Sequence, residues 1–302
     1  MSIEARSTAP AWPDDARVAV VVTVDHDAEW FWLRLDESVA RRAKTRSLGE
    51  YGPRRGVPRL LDALRTAEVP STWFVTGIVA ERHRASVEAV AEAGHEIGSR
   101  GYELESFHQL SRDQQADALD RGGAVLERVL GARPRGFRGY DEVAPDTFEL
   151  LLERGYRWTS LLRGDDRPSF LGGTFDAQRS LVDVPAHWEL ADMPNFAFNF
   201  APAMPAGQSR IAPYARVLDD WKREFDAYHR HGGLYVLTLD PQSIGKPGRI
   251  SILNELLAHI RGAGSVWFAT AGQVAEYWRT VATTNDVGEG EVIRRRTFPG
   301  NE

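Results

Sequence analysis

Acids, arginines and histidines gather directly behind short apolar runs in this chain. Asp25, His26, Asp27 and Glu29 follow a run of valines. Arg100, Glu103, Glu105 and His108 follow a second segment, and Arg138, Tyr140 and Asp141 a third. His187 and Asp240 stand behind two more. Carboxylates beside guanidinium groups suit general acid–base chemistry and the stabilisation of developing negative charge. The chain has no cysteine, which excludes thiolate ligands, cysteine nucleophiles and disulfides. A lone Asp behind a strand is more often a helix cap. Five strand ends carrying such groups to one mouth are harder to assign to capping.

The elements that must position these residues recur regularly. Apolar, β-branched runs at 17–24, 71–75, 95–98, 135–138, 157–161, 181–184, 234–239 and 265–269 read as buried strands. Helical patterns alternate with them at 57–67, 111–130, 145–154, 214–231, 250–262 and 271–282. The pattern at 111 opens with the capping-box order Ser-Arg-Asp-Gln. Strand and helix alternating seven or eight times imply parallel βα units. The expected fold is therefore α/β, a single-domain (β/α) barrel of seven or eight parallel strands, with chemistry at the C-terminal strand ends. An open doubly wound sheet competes, but no Gly-rich phosphate fingerprint follows the first strand. Residues 1–16 read as an N-terminal arm, 17–282 as the barrel and 283–302 as a polar tail. Residues 36–55 and 192–212 read as long connections.

A net charge of −6 without a basic block argues against nucleic acid as a partner. A 42% hydrophobic content with nine tryptophans suffices for a large core. The N-terminus shows no apolar secretory segment, and the valine run is too short to cross a bilayer. The expectation is a cytoplasmic protein without a membrane partner, acting on a small molecule.

The stretches TVDHDAEW, GHEIGSRGYELESFHQLS, GFRGYD, VPAHW and LTLDPQSIG fall in the order of the polysaccharide deacetylase, or NodB-homology, family. The chain most resembles the intracellular allantoinase-like and cyclic-imide-hydrolase-like branch, over roughly residues 18–278. The resemblance implies an irregular (β/α) barrel with one site at its mouth, and relatives that are often homo-oligomers. It assigns Asp25 as a base and Asp27 as a metal ligand, with Arg138 orienting the base. The family completes its metal with two histidines after GHEIG, and here those positions hold Arg100 and Leu104. Its catalytic histidine position holds Asp240, and a usual proline is Tyr140.

These replacements bear on the metal. A zinc-type site needs about three protein ligands, leucine cannot ligate, and arginine is cationic at any working pH. No metal and no other cofactor is expected, although His26 and Glu29 stand near enough in sequence to rebuild a site. Arg100 either supplies the positive charge an ion would have supplied or neutralises Asp27 as a buried pair. The resulting expectation is a metal-independent hydrolase of a C–N bond in an amide, cyclic imide, lactam or ureide. Asp25 would act as base, with arginines on the oxyanion and Arg138, Asp240 and His187 as catalytic partners. His26, Asp27, Arg100, Glu105, His108, Tyr140 and Trp30 are the candidate substrate contacts. Glu105, His108, His187 and Asp240 all remain possible proton carriers, though His108 equally suits a structural or capping role. Trp30 and Trp32 would either wall the pocket or pack the core. An isomerase, lyase or cyclase on the same barrel, and a non-catalytic binding protein, are the alternatives.

Overall fold

The computed structural model describes residues 12–171, 180–200, 202–204 and 211–282. The strands are β1 (Val18–His26), β2 (Ser71–Val75), β3 (Glu96–Ser99), β4 (Gly136–Phe137), β5 (Trp158–Thr159), β6 (Ser169–Leu171) and β7 (Leu181–Asp183). A small hairpin, β8 (Asn199–Phe200) and β9 (Ala203–Met204), is followed by β10 (Gly233–Leu239) and β11 (Val266–Ala269). All eight expected strands are present, and all eight run parallel within one nine-stranded sheet. The ninth, β6, is antiparallel to β7.

The sheet curls because β1 is shared by three neighbours. It pairs with β10 along most of its length. On its other edge it pairs with β11 over Val18–Val21 and with β2 from Val22 onwards. The order then continues through β3, β4 and β5 to β7. The opening between β7 and β10 is bridged by a parallel contact of Ala191 with Thr238 and by Asp192 N–H donating to the Thr238 carbonyl at 3.1 Å. The half-barrel is thereby nearly closed at its C-terminal rim, and Asp192 is drawn into the mouth.

Residues alternate between the two faces of β1, as a pleated strand requires. Val18, Val20, Val22 and Val24 pack outward with the helices α3 (Val57–Ala67), α9 (Tyr214–His231) and α10 (Pro247–Ala263). Ala19 and Val21 face inward with Phe74, Trp158, Val182, Leu234 and Val236. The lower end is plugged by α11 (Ala271–Val281) and by Trp12, whose indole packs against Trp267, Tyr277 and Trp278. Residues 12–16 thus pack onto the barrel, and residues 1–11 of the expected arm lie outside the described residues. The expected tail at 283–302 lies outside the described residues.

Residues 36–55 are also not the expected open connection. After α1 (Trp30–Leu35), α2 (Ala43–Tyr51) runs through one wide π-helical turn, Gly52–Gly56, straight into α3. Glycines in this stretch suggest breaks, but two of them serve backbone contact. A Cβ at Gly49 would lie 2.3 Å from Glu29 Cα, and one at Gly56 would lie 2.0 Å from the Pro241 carbonyl oxygen. The helix therefore presses directly on the two loops that carry Asp27 and Asp240. In the second connection, the described residues include a short helix α8 (Met193–Phe196) and the β8–β9 hairpin. Gly56→Ala is expected to destabilise the fold by about 1–3 kcal/mol, as overpacking does. Urea unfolding measures this, and an unchanged midpoint would contradict the backbone contact.

Candidate functional site

Inward-facing positions of β1 set the floor of the mouth. Thr23, Asp25 and Asp27 share one face, and His26 faces the other. Asp25 places one oxygen 2.9 Å from Arg138 Nη1 and the other 3.1 Å from Arg100 Nη1. Asp27 takes Arg100 Nε at 2.7 Å and accepts from Arg100 Nη2 at 3.1 Å. One guanidinium thus sits between two carboxylates. Arg100 and Asp27 are buried, whereas the Asp25 side chain keeps 21% exposure. Arg138 is held from β4 by Thr23 and Ser160 hydroxyls at 3.0 and 2.8 Å, and it lies 4.2 Å over the Phe74 ring.

On the far side, behind β10, carboxyls stand without a paired cation. Asp240 accepts from Gln242 N–H at 2.8 Å and from Gln242 Nε2 at 3.0 Å. Trp32 Nε1 donates to Gln242 Oε1 at 2.6 Å, which fixes that amide's orientation. Asp240 N–H in turn donates to Asp192 Oδ1 at 3.0 Å. Burial pushes Asp240 well above the usual carboxylate range, with the charges of Asp192 and Asp27 acting the same way. Burial also raises Asp192 to about 7. Asp27 rises to about 6 through burial, against the opposing pull of Arg100. Arg100 stays firmly charged, because Asp25 and Asp27 outweigh the cost of its burial.

Above this floor opens a cavity of about 620 Å³, within the range of small-molecule sites. Asp25, Asp27, Arg100 and Asp240 line its polar side; Phe31, Val143, Leu161, Leu162 and Met193 line the apolar one. A smaller recess of about 80 Å³ adjoins it over Asp25, Arg138 and Ser160. Tyr140 lines both spaces, and its ring meets Phe31 edge-on. Burial, and then the charge of Asp27, raises the Tyr140 phenol, so it keeps its proton.

Asp25, Asp27, Arg100, Arg138, Tyr140 and Asp240 therefore meet at one mouth. His187 reaches only the recess, and its Nε2 lies 3.1 Å from the Asp165 carbonyl oxygen. Four other candidates lie elsewhere. His26 is fully buried on the outer face, 2.8 Å from Ser86 of α5 (Arg84–Glu92), and burial lowers it to about 3. Glu105 spends its carboxylate on the backbone N–H groups of Tyr102 and Glu103, stapling its own turn. His108 is turned to the rim, beside Asp141 and the Glu142 carbonyl. Trp30 packs on the outer core against His83, while Phe31 takes the cavity wall. Asp192, Arg163 and Trp188 also line the cavity. Arg163 follows the fifth apolar run, so the strand-end rule extended to that run reaches it. Asp192 is placed by the Ala191–Thr238 bridge, for which the sequence carries no local signal.

The divalent metal implied by the resemblance does not fit these residues. Arg100 occupies the space between the two carboxylates, and the other histidine position is the buried Leu104. His26 points away, and Glu29 is bound to His83 at 2.7 Å. Among the described residues no group of three His, Cys, Asp or Glu side chains is disposed to hold a metal.

Comparisons with known proteins agree with this fold. A family model described as polysaccharide deacetylase matches residues 50–157. The crystal structure of a candidate polysaccharide deacetylase from Mycobacterium smegmatis superposes with a TM-score of 0.82 at 37% identity, over 89% of this chain and 92% of that one. The peptidoglycan deacetylase of Helicobacter pylori is 24% identical over 254 residues, 76% of this chain and 86% of its own. A crystal structure of PuuE allantoinase shares the fold, with a TM-score of 0.75 at 24% identity over 90% and 93% of the two chains.

Two outcomes follow from the charge arrangement. Arg100→Met leaves Asp27 without its cation, facing an Asp25 that keeps only Arg138, a loss of about 3–5 kcal/mol by analogy with other broken buried pairs. Urea unfolding should show a larger loss at pH 8 than at pH 5, where Asp27 can take a proton. The second outcome concerns Asp192, whose folded value of about 7 lies above its ordinary 3.8. Its contribution to stability is full below the ordinary value and is lost as pH rises towards 7. Asp192→Asn removes that term, so stability should fall less between pH 4 and 7 and exceed that of the unaltered protein at pH 8. An unchanged pH profile would contradict the raised value.

Proposed function

The chain belongs to the polysaccharide deacetylase family, and on that premise we propose that it hydrolyses a C–N bond in a small molecule without a bound metal. One observation carries this reading. The cavity floor holds two carboxyl groups in opposite settings, Asp25 in ion pairs and Asp240 buried without a cation. Such splitting separates a base from an acid.

Asp25, the exposed member of its cluster, takes a proton from a water in the recess. The water oxygen bonds to the carbonyl carbon of an amide, imide, lactam or ureide. The Tyr140 hydroxyl and the charge of Arg100 and Arg138 face the oxygen that becomes negative. Tyr140 is suited to this because its hydroxyl bonds to no protein atom among the described residues. As the tetrahedral species collapses, the C–N bond breaks and Asp240 delivers its proton to nitrogen. An acid and an amine leave, and solvent returns the proton from Asp25 to Asp240. Arg138 positions the base, and Asp27 positions Arg100.

A small substrate is favoured by the volume of the cavity and by its partly apolar lining. Among the described residues no helix is long and apolar enough to cross a membrane. A cytoplasmic setting and a homo-oligomeric state belong to the same proposal and rest on the sequence. The closed pairing of Arg100 with both carboxylates favours one second reading, a binding protein without turnover.

Mass spectrometry of ureides, cyclic imides, lactams and N-acyl amines, each incubated with purified protein, separates the two. The expected result is a product heavier by one water, or its two fragments, formed at equal rates with and without EDTA. Asp25→Asn should lower that rate by about 10²-fold or more, as loss of a general base does. Inhibition by EDTA, or full activity in Asp25→Asn, would refute the mechanism. No turnover across the panel would favour the binding protein.

A further inference from the structure

Three arginines line the two spaces of the mouth, and two of them are neutralised at contact distance by Asp25 or Asp27. Arg163 is different. It follows β5 and lines both the cavity and the recess. Among the described residues, no carboxylate lies within ion-pair distance of it. Its one hydrogen bond is Nη1 donating to the Ala186 carbonyl at 3.0 Å. Its guanidinium lies 4.0 Å over the ring of Trp188, which is 60% exposed. Stacking orients the planar group without consuming its N–H donors, and most of the five stay free. An exposed cation held flat at a cavity wall, with most of its donors uncommitted, is suited to take a carboxylate through two parallel hydrogen bonds.

We infer that Arg163, backed by Trp188, binds a carboxylate on the substrate, so that the molecule cleaved over Asp25 is an amide that also carries a carboxylic acid. This rests on the hydrolase reading and names the substrate class of the same cavity. The apolar wall of Phe31, Leu161, Leu162 and Met193 receives the hydrocarbon part of the molecule. Asp141 and Glu142 stand exposed at the rim. They make the entrance unattractive to anions in general, so the carboxylate is recognised by contact with Arg163 and not by long-range steering.

The test uses two probes, N-benzoylglycine and its uncharged primary amide, titrated calorimetrically into the full chain at neutral pH. The acid should bind about tenfold or more tightly than the amide, as one charge-assisted contact allows. That ratio should fall to near unity in Arg163→Met and survive in part in Arg163→Lys. Melting temperatures check that each variant is folded, and Arg163→Gln replaces Arg163→Met if the latter is not. Equal binding of the two probes, no binding of either, or a preference that outlasts removal of Arg163 would each overturn the inference. Binding does not require turnover, so the two proposals fail separately. A protein that prefers the acid and hydrolyses nothing refutes only the hydrolase. One that cleaves neutral amides as readily as acidic ones refutes only the role of Arg163.

Discussion

Two carboxylates two residues apart on one strand end must point to the same side, and in this barrel that side is the floor of the cavity. Asp25 and Asp27 therefore need a cation within contact distance. Arg100 supplies it from the end of β3, touching both. Much of the mouth is arranged around that guanidinium. The neighbouring strand must bring its residue to the same level, which the register of β2 and β3 does. Arg138 then takes the remaining oxygen of Asp25. With both cations committed, the negative charge of the floor is balanced without any ion from outside.

The opposite side of the cavity solves the same electrostatic problem differently. Asp240 and Asp192 have no arginine in contact, so burial favours their protonated forms. Gln242 and backbone N–H groups orient them without supplying charge. One fold thus sets one pair of carboxylates against guanidinium groups and leaves another to desolvation without a cation in contact. Acid–base chemistry at neutral pH requires that asymmetry, and a uniformly ionised ring of four carboxylates would not provide it.

Much of the fold was legible because a buried parallel strand leaves a strong local mark. Each of the eight short runs became a strand, and the capping box at Ser111 formed as its sequence implied. Polar residues behind those runs located Asp25, Arg100, Arg138 and Asp240. Less legible were features set by contacts distant in sequence. Gly49 and Gly56 look like breaks in a loop until Glu29 and Pro241 are seen against them. His26 sits in sequence between two residues that line the cavity, yet the two-residue alternation of β1 turns it to the outer helices. Glu105 and His108 fall in a turn whose path no periodicity describes.

Arg163 shows how far the strand-end rule reaches. It stands four residues past β5, whereas Arg138 stands one residue past β4. Both are arginines that follow an apolar run, but their surroundings differ. Arg138 meets Asp25 and the hydroxyls of Thr23 and Ser160, so its charge is spent on holding the floor. Arg163 meets one carbonyl and an aromatic face, neither of which neutralises it. Asp25, Glu142, Asp183 and Glu189 act on it only from a distance, so its exposed donors stay open to an anionic group. The same residue type behind two paired strands thus holds the cavity floor in one case and keeps its donors open in the other, and only the partners reveal which.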